Sequence, residues 1–321
     1  MPERMRDGLV FVDDGNSLHG FGGDFDALDV RFACRMSDLP LNKEARSVAA
    51  TANEEGCFML QLDFTNGEYR TPEEAHSRLS RISSSAVFYT IFCGIVRRAS
   101  SAAKRGRYGN KEWAETSREV MCALETAGVC FEIAGVEHFR TLEPPCVFIG
   151  NHMSTLETMV LPGIIQPIKD VTFVVKQSLV EYPVFRYIMR SRDPVTVGRS
   201  NPREDLSAVM DGGVARLKAG RSIIIFPQTT RTPVFDPGQF NTIGVKLAKK
   251  AGVPVVPIAL KTDAWGNGRF IKEFGTIDSG KRVYFTFGAP LAVQSRGADE
   301  HAMVIRFIQE KLALWQERRQ V

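Results

Sequence analysis

From Glu112 onward the chain repeats one rhythm, a short and mostly apolar run followed by a longer stretch of helical periodicity. The runs are VCFEIAGV (129–136), CVFIG (146–150), VTFVV (171–175), PVTV (194–197), SIIIF (222–226) and VPVVPIAL (253–260). A strand that is apolar at successive positions is covered on both faces, and strands that alternate with helices pair in parallel. The pattern predicts an α/β domain over residues 112–321, a mainly parallel sheet covered by helices on both faces. One helix marks its own ends: Asn201 as N-cap, Pro202 at the first helical position, Glu204 three residues after the cap and Gly220 at the stop. Further on, RFIKEFGTI (269–277) and RVYFTFG (282–288) are expected to pair as a hairpin across DSGK. Val304, Phe307, Ile308, Leu312 and Trp315 share one stripe of a closing helix that starts near Glu300.

The first 111 residues read differently. Alternation at Leu28, Val30, Phe32, Cys34 and Met36, and again at Phe58, Leu60, Leu62 and Phe64, predicts two half-buried strands. A helix is expected between them over Leu41–Glu55, with a glycine-rich loop at 19–23, so residues 1–74 form a small α+β module of unassigned role. Its DDGN at 13–16 lacks the ligand spacing of a calcium loop and reads as a solvated turn. Residues 75–111 hold the longest unbroken apolar run, AVFYTIFCGIV at 86–96, far shorter than the about 20 residues that a helix needs to cross a bilayer.

Composition adds one distinction. With 321 residues, 44% hydrophobic and 24% charged, the chain has material for one large core, which excludes disorder and fibrous classes. The net charge of +4 conceals a division: residues 1–74 carry 7 basic and 15 acidic groups (net −8), whereas 75–111 carry eight basic and no acidic ones (net +8). The apolar run is bracketed by Arg78 and Arg81 before it and by Arg97, Arg98, Lys104, Arg105 and Arg107 after it. Such a segment reads either as a helix lying in the headgroup region of an anionic membrane surface or as a core helix with solvated basic flanks. Nucleic acid is not the expected partner. Six cysteines (34, 57, 93, 122, 130, 146) show no C-x-x-C spacing and read as free thiols of a reducing compartment, which places a peripheral attachment on the cytoplasmic face.

In an open α/β sheet the ligand site lies beyond the carboxyl ends of the strands. That rule selects Asn151–Glu157, Lys176, Gly198 with Arg199, and Pro227–Thr232. The selected set includes His152, Glu157 and three cations, which suits a neutral nucleophile that needs a base and an anionic group that needs a clamp. On one continuous helix His152 and Glu157 would point roughly 140° apart. They meet if His152 sits in the loop ahead of the helix and Glu157 in its first turn, with Ser154 as N-cap; Glu157 then orients one ring nitrogen and leaves the other to take a proton. Ser154-x-x-Glu157 is equally a capping box, which needs no function, and each cation equally reads as a solvated surface residue.

Asn151-His152-x4-Glu157, Gly198-Arg199-Ser200, Phe226-Pro227-Gln228-Thr229-Thr230-Arg231 and Val253-Pro254-Val255-Val256-Pro257 occur in the order and spacing of four motifs. Over about residues 112–290 the chain resembles the 1-acylglycerol-3-phosphate acyltransferases of the glycerophospholipid acyltransferase family. The resemblance implies a glycerolipid acyltransferase-like fold and an O-acyltransferase of phospholipid synthesis or remodelling. It implies transfer of a fatty acyl group from a thioester, acyl-CoA or acyl carrier protein, to the free hydroxyl of a lysophospholipid, with neither a metal nor a further cofactor. His152 is implied as general base and Glu157 as its orienting acid. Gly198, Arg199, Thr230 and Arg231 are implied at the acceptor's phosphate, with Lys176 as a further cation and backbone N–H groups at the start of the 154–166 helix facing the developing oxyanion. The chain departs from the family where Asp is usual at 157 and where the third motif usually reads Phe-Pro-Glu-Gly-Thr-Arg, so Gln228 replaces a carboxylate and Thr229 a glycine. Two other readings remain: a hydrolase with Ser154 as nucleophile, which lacks the G-x-S-x-G turn, and a lipid-binding regulator without turnover, suggested by Gln228 and Thr229.

Overall fold

Every one of the six apolar runs forms a strand. The computed structural model describes residues 62, 64, 67–72, 75 and 83–318, apart from 183–184, 199, 229 and 269–272. In chain order its main elements are β1 (Tyr69–Arg70), α1 (Ser84–Lys104), α2 (Asn110–Thr126), β2 (Phe131–Ala134), β3 (Val147–Gly150), α3 (Leu156–Ile165) and β4 (Val171–Lys176). There follow β5 (Val195–Val197), α4 (Pro202–Lys218), β6 (Ser222–Ile225), α5 (Ile243–Ala251), β7 (Val255–Lys261), β8 (Val283–Phe287) and α6 (Ala298–Glu317). The strands form one sheet in the order β1-β2-β8-β7-β3-β6-β4-β5. β3 to β7 all run the same way, so their carboxyl ends open on one edge. Helices α1, α2 and α3 cover one face around Phe88, Leu124 and Leu161, and α4, α5 and α6 cover the other around Val209, Leu247 and Ile308.

Helix α4 has the termini expected of it: Asn201 Oδ1 accepts from the Arg203 N–H at 3.1 Å, and Gly220, at φ +85°, takes the left-handed conformation that ends the helix. Helix α6 buries Val304, Ile308 and Trp315.

Two pairings differ from expectation. The run 282–288 does not form a hairpin with 269–277. As β8 it lies antiparallel to β7 and parallel to β2, filling both of its hydrogen-bonding edges, while Ile277 makes a single bridge to Trp265. A strand with two neighbours satisfies more backbone groups than an isolated two-stranded ribbon, so the long-range partners win. Consequently β2 is antiparallel to the β3–β7 block, and the sheet is mixed at that side.

The strands and helix expected within residues 1–74 lie outside the described residues, except Leu62 and Phe64, which pack against the core. The main sheet nevertheless begins before residue 75, because β1 pairs antiparallel with β2. It is pinned to α2 by Tyr69 Oη and Thr71 Oγ1, which both donate to Glu125 Oε1 at 2.7 Å. Burial pushes the Glu125 carboxyl above its usual range against the opposing pull of these two hydroxyls. A carboxyl raised in the folded state binds its proton more tightly there, so its contribution is complete below the unfolded pKa and is lost as pH rises through the folded one. Thermal melting should therefore show a fall in Tm with rising pH above about 4.5 that Glu125→Gln flattens.

Helix α1 turns the apolar run inward, as the core-helix reading requires. Phe88, Tyr89, Phe92, Ile95 and Ala99 form a buried stripe, and Phe88 meets the buried Trp265 edge-on at 4.7 Å. The apolar side chains are committed to the protein's own core, and Arg97, Arg98, Lys104, Arg105 and Arg107 remain exposed at the far end. Among the described residues no helix is long and apolar enough to cross a membrane.

Candidate active site

The carboxyl edge of the β3–β7 block gathers four chain segments. Asn151, directly after β3, is buried and extends the sheet by a side-chain pairing, its Nδ2 donating to Leu260 O and its Oδ1 accepting from Leu260 N, both at 2.8 Å. This pairing fixes where the chain leaves the sheet and so where His152 begins. His152 lies in the loop and Glu157 is the second residue of α3, the arrangement that the five-residue spacing requires. His152 Nδ1 is 2.8 Å from Glu157 Oε1.

Glu157 is wholly buried. Its Oε1 also accepts from the N–H groups of Met153 and Ser154 at 2.7 and 2.9 Å, and its Oε2 from Thr262 Oγ1 at 2.6 Å. Burial alone would push this carboxyl up. The His152 ring, the Thr262 hydroxyl and the Ser154 N–H outweigh it and hold the group below the usual carboxylate range. An ionised carboxylate only accepts, so Nδ1 of His152 is the donor to it, and in the neutral ring Nε2 is the nitrogen with the lone pair. Nε2 has no hydrogen-bond partner among the described residues, and the side chain is 16% exposed. The imidazole lies flat on the Phe226 ring, with centroids 4.5 Å apart and planes within 5°, so its plane is fixed from a second side.

The capping and orienting readings of Glu157 are both realised, by one carboxylate. The helix starts one residue later than expected, with Thr155 at the cap, while Ser154 Oγ accepts from the Leu156 N–H at 3.1 Å. Ser154 Oγ also lies 3.0 Å from Glu157 Oε2 and 2.9 Å from Thr262 O, sharing its one proton between them. Buried at 1% exposure and occupied on every side, this hydroxyl is a structural cap and does not fit the role of nucleophile. Fewer N–H groups at the helix start are available to an oxyanion than expected, since those of Met153, Ser154 and Leu156 are spent on Glu157 and Ser154.

Gln228 replaces the family's usual carboxylate with a group that both accepts and donates. Its Oε1 takes the His152 backbone N–H at 2.7 Å, and its Nε2 donates to Thr232 Oγ1 at 2.9 Å, whose own proton goes to Val234 O at 2.8 Å. The Thr232 N–H returns to His152 O at 3.0 Å, so the third motif clamps the histidine loop from both sides. A carboxylate at 228 could not supply the donor that Thr232 receives.

Arg231 comes to the site. Its Nη1 donates to Thr155 Oγ1 at 2.5 Å and its Nη2 pairs with Glu273 Oε1 at 2.8 Å. Thr230 is half-buried beside it. Gly198 directly follows β5 on the same edge, exposed, its N–H given to Asp205 Oδ1 at 2.8 Å. Lys176 ends β4, exposed, its side chain with no hydrogen bond or ion pair to another described residue. Arg199 and Thr229 lie outside the described residues. Thr262 and Glu273 were not among the expected site residues. Thr262 directly follows β7, so the rule that selected Lys176 and Gly198 also points to it; Glu273 sits far from any strand end and carries no such signal.

A mainly parallel sheet whose carboxyl edge presents an imidazole, a buried ionised carboxylate behind it and a guanidinium alongside defines an α/β domain equipped for base-assisted chemistry next to an anion. Residues 130–261 match the family model described as Acyltransferase. Over these residues the chain is similar to acyltransferases of glycerophospholipid metabolism. It is 36% identical over 152 residues to a 1-acyl-sn-glycerol-3-phosphate acyltransferase of Pseudomonas aeruginosa, covering 47% of this chain and 57% of that protein. It is 32% identical over 129 residues to the chloroplastic 1-acyl-sn-glycerol-3-phosphate acyltransferase BAT2 of Brassica napus, covering 40% and 36%. The chain thus spans about half the length of the relatives it matches. The crystal structure of the 1-acyl-sn-glycerophosphate acyltransferase PlsC from Thermotoga maritima shares the fold, with a TM-score of 0.53 over 73% of this chain and 95% of that one at 20% identity.

Proposed function

We propose that the protein transfers a fatty acyl group from a thioester donor, acyl-CoA or acyl carrier protein, to the free hydroxyl of a lysophospholipid such as 1-acylglycerol 3-phosphate. The observation that carries this reading is the 2.8 Å contact between His152 Nδ1 and the buried, ionised Glu157, which leaves Nε2 as a lone pair at the sheet's carboxyl edge. The acceptor hydroxyl gives its proton to Nε2 as its oxygen attacks the thioester carbonyl carbon. The tetrahedral intermediate then expels the thiolate, which takes the proton back from the imidazolium. The products are a diacyl lipid and a free thiol, and no acyl-enzyme forms. Glu157 stabilises the transient imidazolium and keeps the ring from turning. Arg231, with Arg199, holds the acceptor's phosphate. The exposed cations at the end of α1, Arg97, Arg98, Lys104, Arg105 and Arg107, provide attachment to an anionic leaflet at the cytoplasmic face.

The test is incubation of purified protein with acyl-CoA and a panel of lysolipids, beside His152→Ala. A diacyl lipid with stoichiometric free thiol, lost in the variant, supports the reading. Free fatty acid in place of the diacyl product would make the protein a hydrolase, and neither product would make it a binding protein.

Thr262 enters this chemistry as a positioning residue. Thr262→Val keeps the shape and removes one charge-assisted hydrogen bond from Glu157 Oε2, worth about 1.5–3 kcal/mol. Steady-state kinetics should show kcat falling about 10-fold with the acceptor KM unchanged, since the loss reaches the reaction only through the histidine.

A further inference from the structure

Arg231 does not stand free for a ligand. Its guanidinium makes two side-chain contacts of different character: a neutral one to Thr155 Oγ1 at the head of α3, and an ionic one to Glu273 Oε1 at 2.8 Å. The first ties it to the segment that carries His152 and Glu157. The second sets a carboxylate against the guanidinium beside that segment. Glu273 is itself well anchored: its carbonyl accepts from Trp265 Nε1 at 3.1 Å, and Trp265 is buried against Phe88 and Phe92 of α1. Nearby, the hydroxyl of Tyr89 donates to Gly275 O and Ser85 Oγ accepts from the Ile277 N–H, so α1 holds this segment at two points. The backbone is fixed, but the ionic contact is a single one between side chains 20% and 32% exposed, within reach of a ligand from solvent.

We propose that Glu273 is a placeholder for the acceptor's anionic head on Arg231: carboxylate and phosphate compete for the same guanidinium. This rests on the reading that Arg231 binds that head. A phosphate monoester carries about −1.5 to −2 charges at pH 7 and three acceptor oxygens, so it displaces a monocarboxylate held through one contact. Thr155 keeps the guanidinium in position during the exchange. Because the product retains the same phosphate, the return of Glu273 to Arg231 also weakens the hold on product. Glu273 therefore loosens substrate and product alike, and its removal tightens both.

The experiment measures binding by calorimetry, independent of turnover, with the full chain and short-chain probes: 1-hexanoylglycerol 3-phosphate for the acceptor and dihexanoyl phosphatidate for the product. Glu273→Gln should lower the Kd of both about 3- to 10-fold, and Glu273→Ala should do the same. Arg231→Ala should raise both, and adding Glu273→Gln to it should change nothing further, since no guanidinium remains to compete for. Melting curves establish that each variant is folded; if Glu273→Gln melts early, Glu273→Asp, which keeps the charge but withdraws it by one methylene, supplies the same comparison. An unchanged or raised Kd in a folded Glu273 variant, while Arg231→Ala weakens binding, overturns the proposal and makes Glu273 an orienting partner only. An unchanged Kd in Arg231→Ala would instead remove the phosphate assignment on which it rests.

Discussion

Glu157→Ala should cost the protein both its activity and a large part of its stability. The buried carboxylate receives the His152 ring, two backbone N–H groups and the Thr262 hydroxyl, and no water-exposed group stands by to replace it. Removing one side of a buried charged network costs about 3–5 kcal/mol, which for a domain of this size is a fall of roughly 6–20 °C in Tm. Glu157→Gln separates the two losses. The amide has the same shape and can still accept the Met153 and Ser154 N–H groups, so the fold survives with a smaller loss. It no longer enforces a proton on Nδ1 of His152, and kcat should fall by about 10²–10⁴. The pH dependence follows from the sign of the shift. A carboxyl held below its unfolded pKa contributes stability that is present above that pKa and is lost as pH falls through the folded value, and Glu157→Gln should abolish this acid limb of the Tm profile. A fully active Glu157→Gln would end the assignment of this residue.

His152→Ala should behave in the opposite proportion. The ring is at the surface of the site, its stacking on Phe226 is worth about 0.5–1.5 kcal/mol, and the carboxylate beneath it keeps its other donors. Melting should change little. Turnover should fall by about 10²–10⁴, because an alcohol with a pKa far above neutrality then attacks without a base. The acceptor KM should stay near its original value, since the ring acts on the proton and not on the phosphate. Added imidazole partly restoring the rate would confirm that a diffusible base fits the vacated place. Undiminished transfer by a folded His152→Ala protein would refute the mechanism.

Much of this is legible in the sequence. The six strands follow from apolar runs, since burial on both faces leaves no polar alternation to obscure them. The ends of α4 follow from Asn201, Pro202 and Gly220, whose effects act within one turn of chain. The His152–Glu157 contact was legible as a conditional: the spacing excluded one continuous helix and allowed a loop followed by a first turn, and the chain takes the second course. The pairing of 282–288 is not legible in the sequence, because 269–277 looks as suitable a partner as β2 and β7 and local pattern carries no measure of that competition. The apolar run of α1 was ambiguous for a similar reason. A short apolar stripe suits lipid or protein equally, and only the presence of Trp265 opposite Phe88 decides between them.

What the sequence determined alone is therefore what neighbours along the chain enforce: which segments become strands and helices, where they stop, and which reactive side chains reach the carboxyl edge of the sheet. The tertiary structure decided the charge state and company of those side chains. Glu157 is ionised although buried because the His152 ring and, over a hundred positions away, the Thr262 hydroxyl donate to it, and Arg231 is already paired because Glu273 arrives from a segment held by α1. Electrostatic and hydrogen-bond energies depend on distance through space, which periodicity along the chain does not encode.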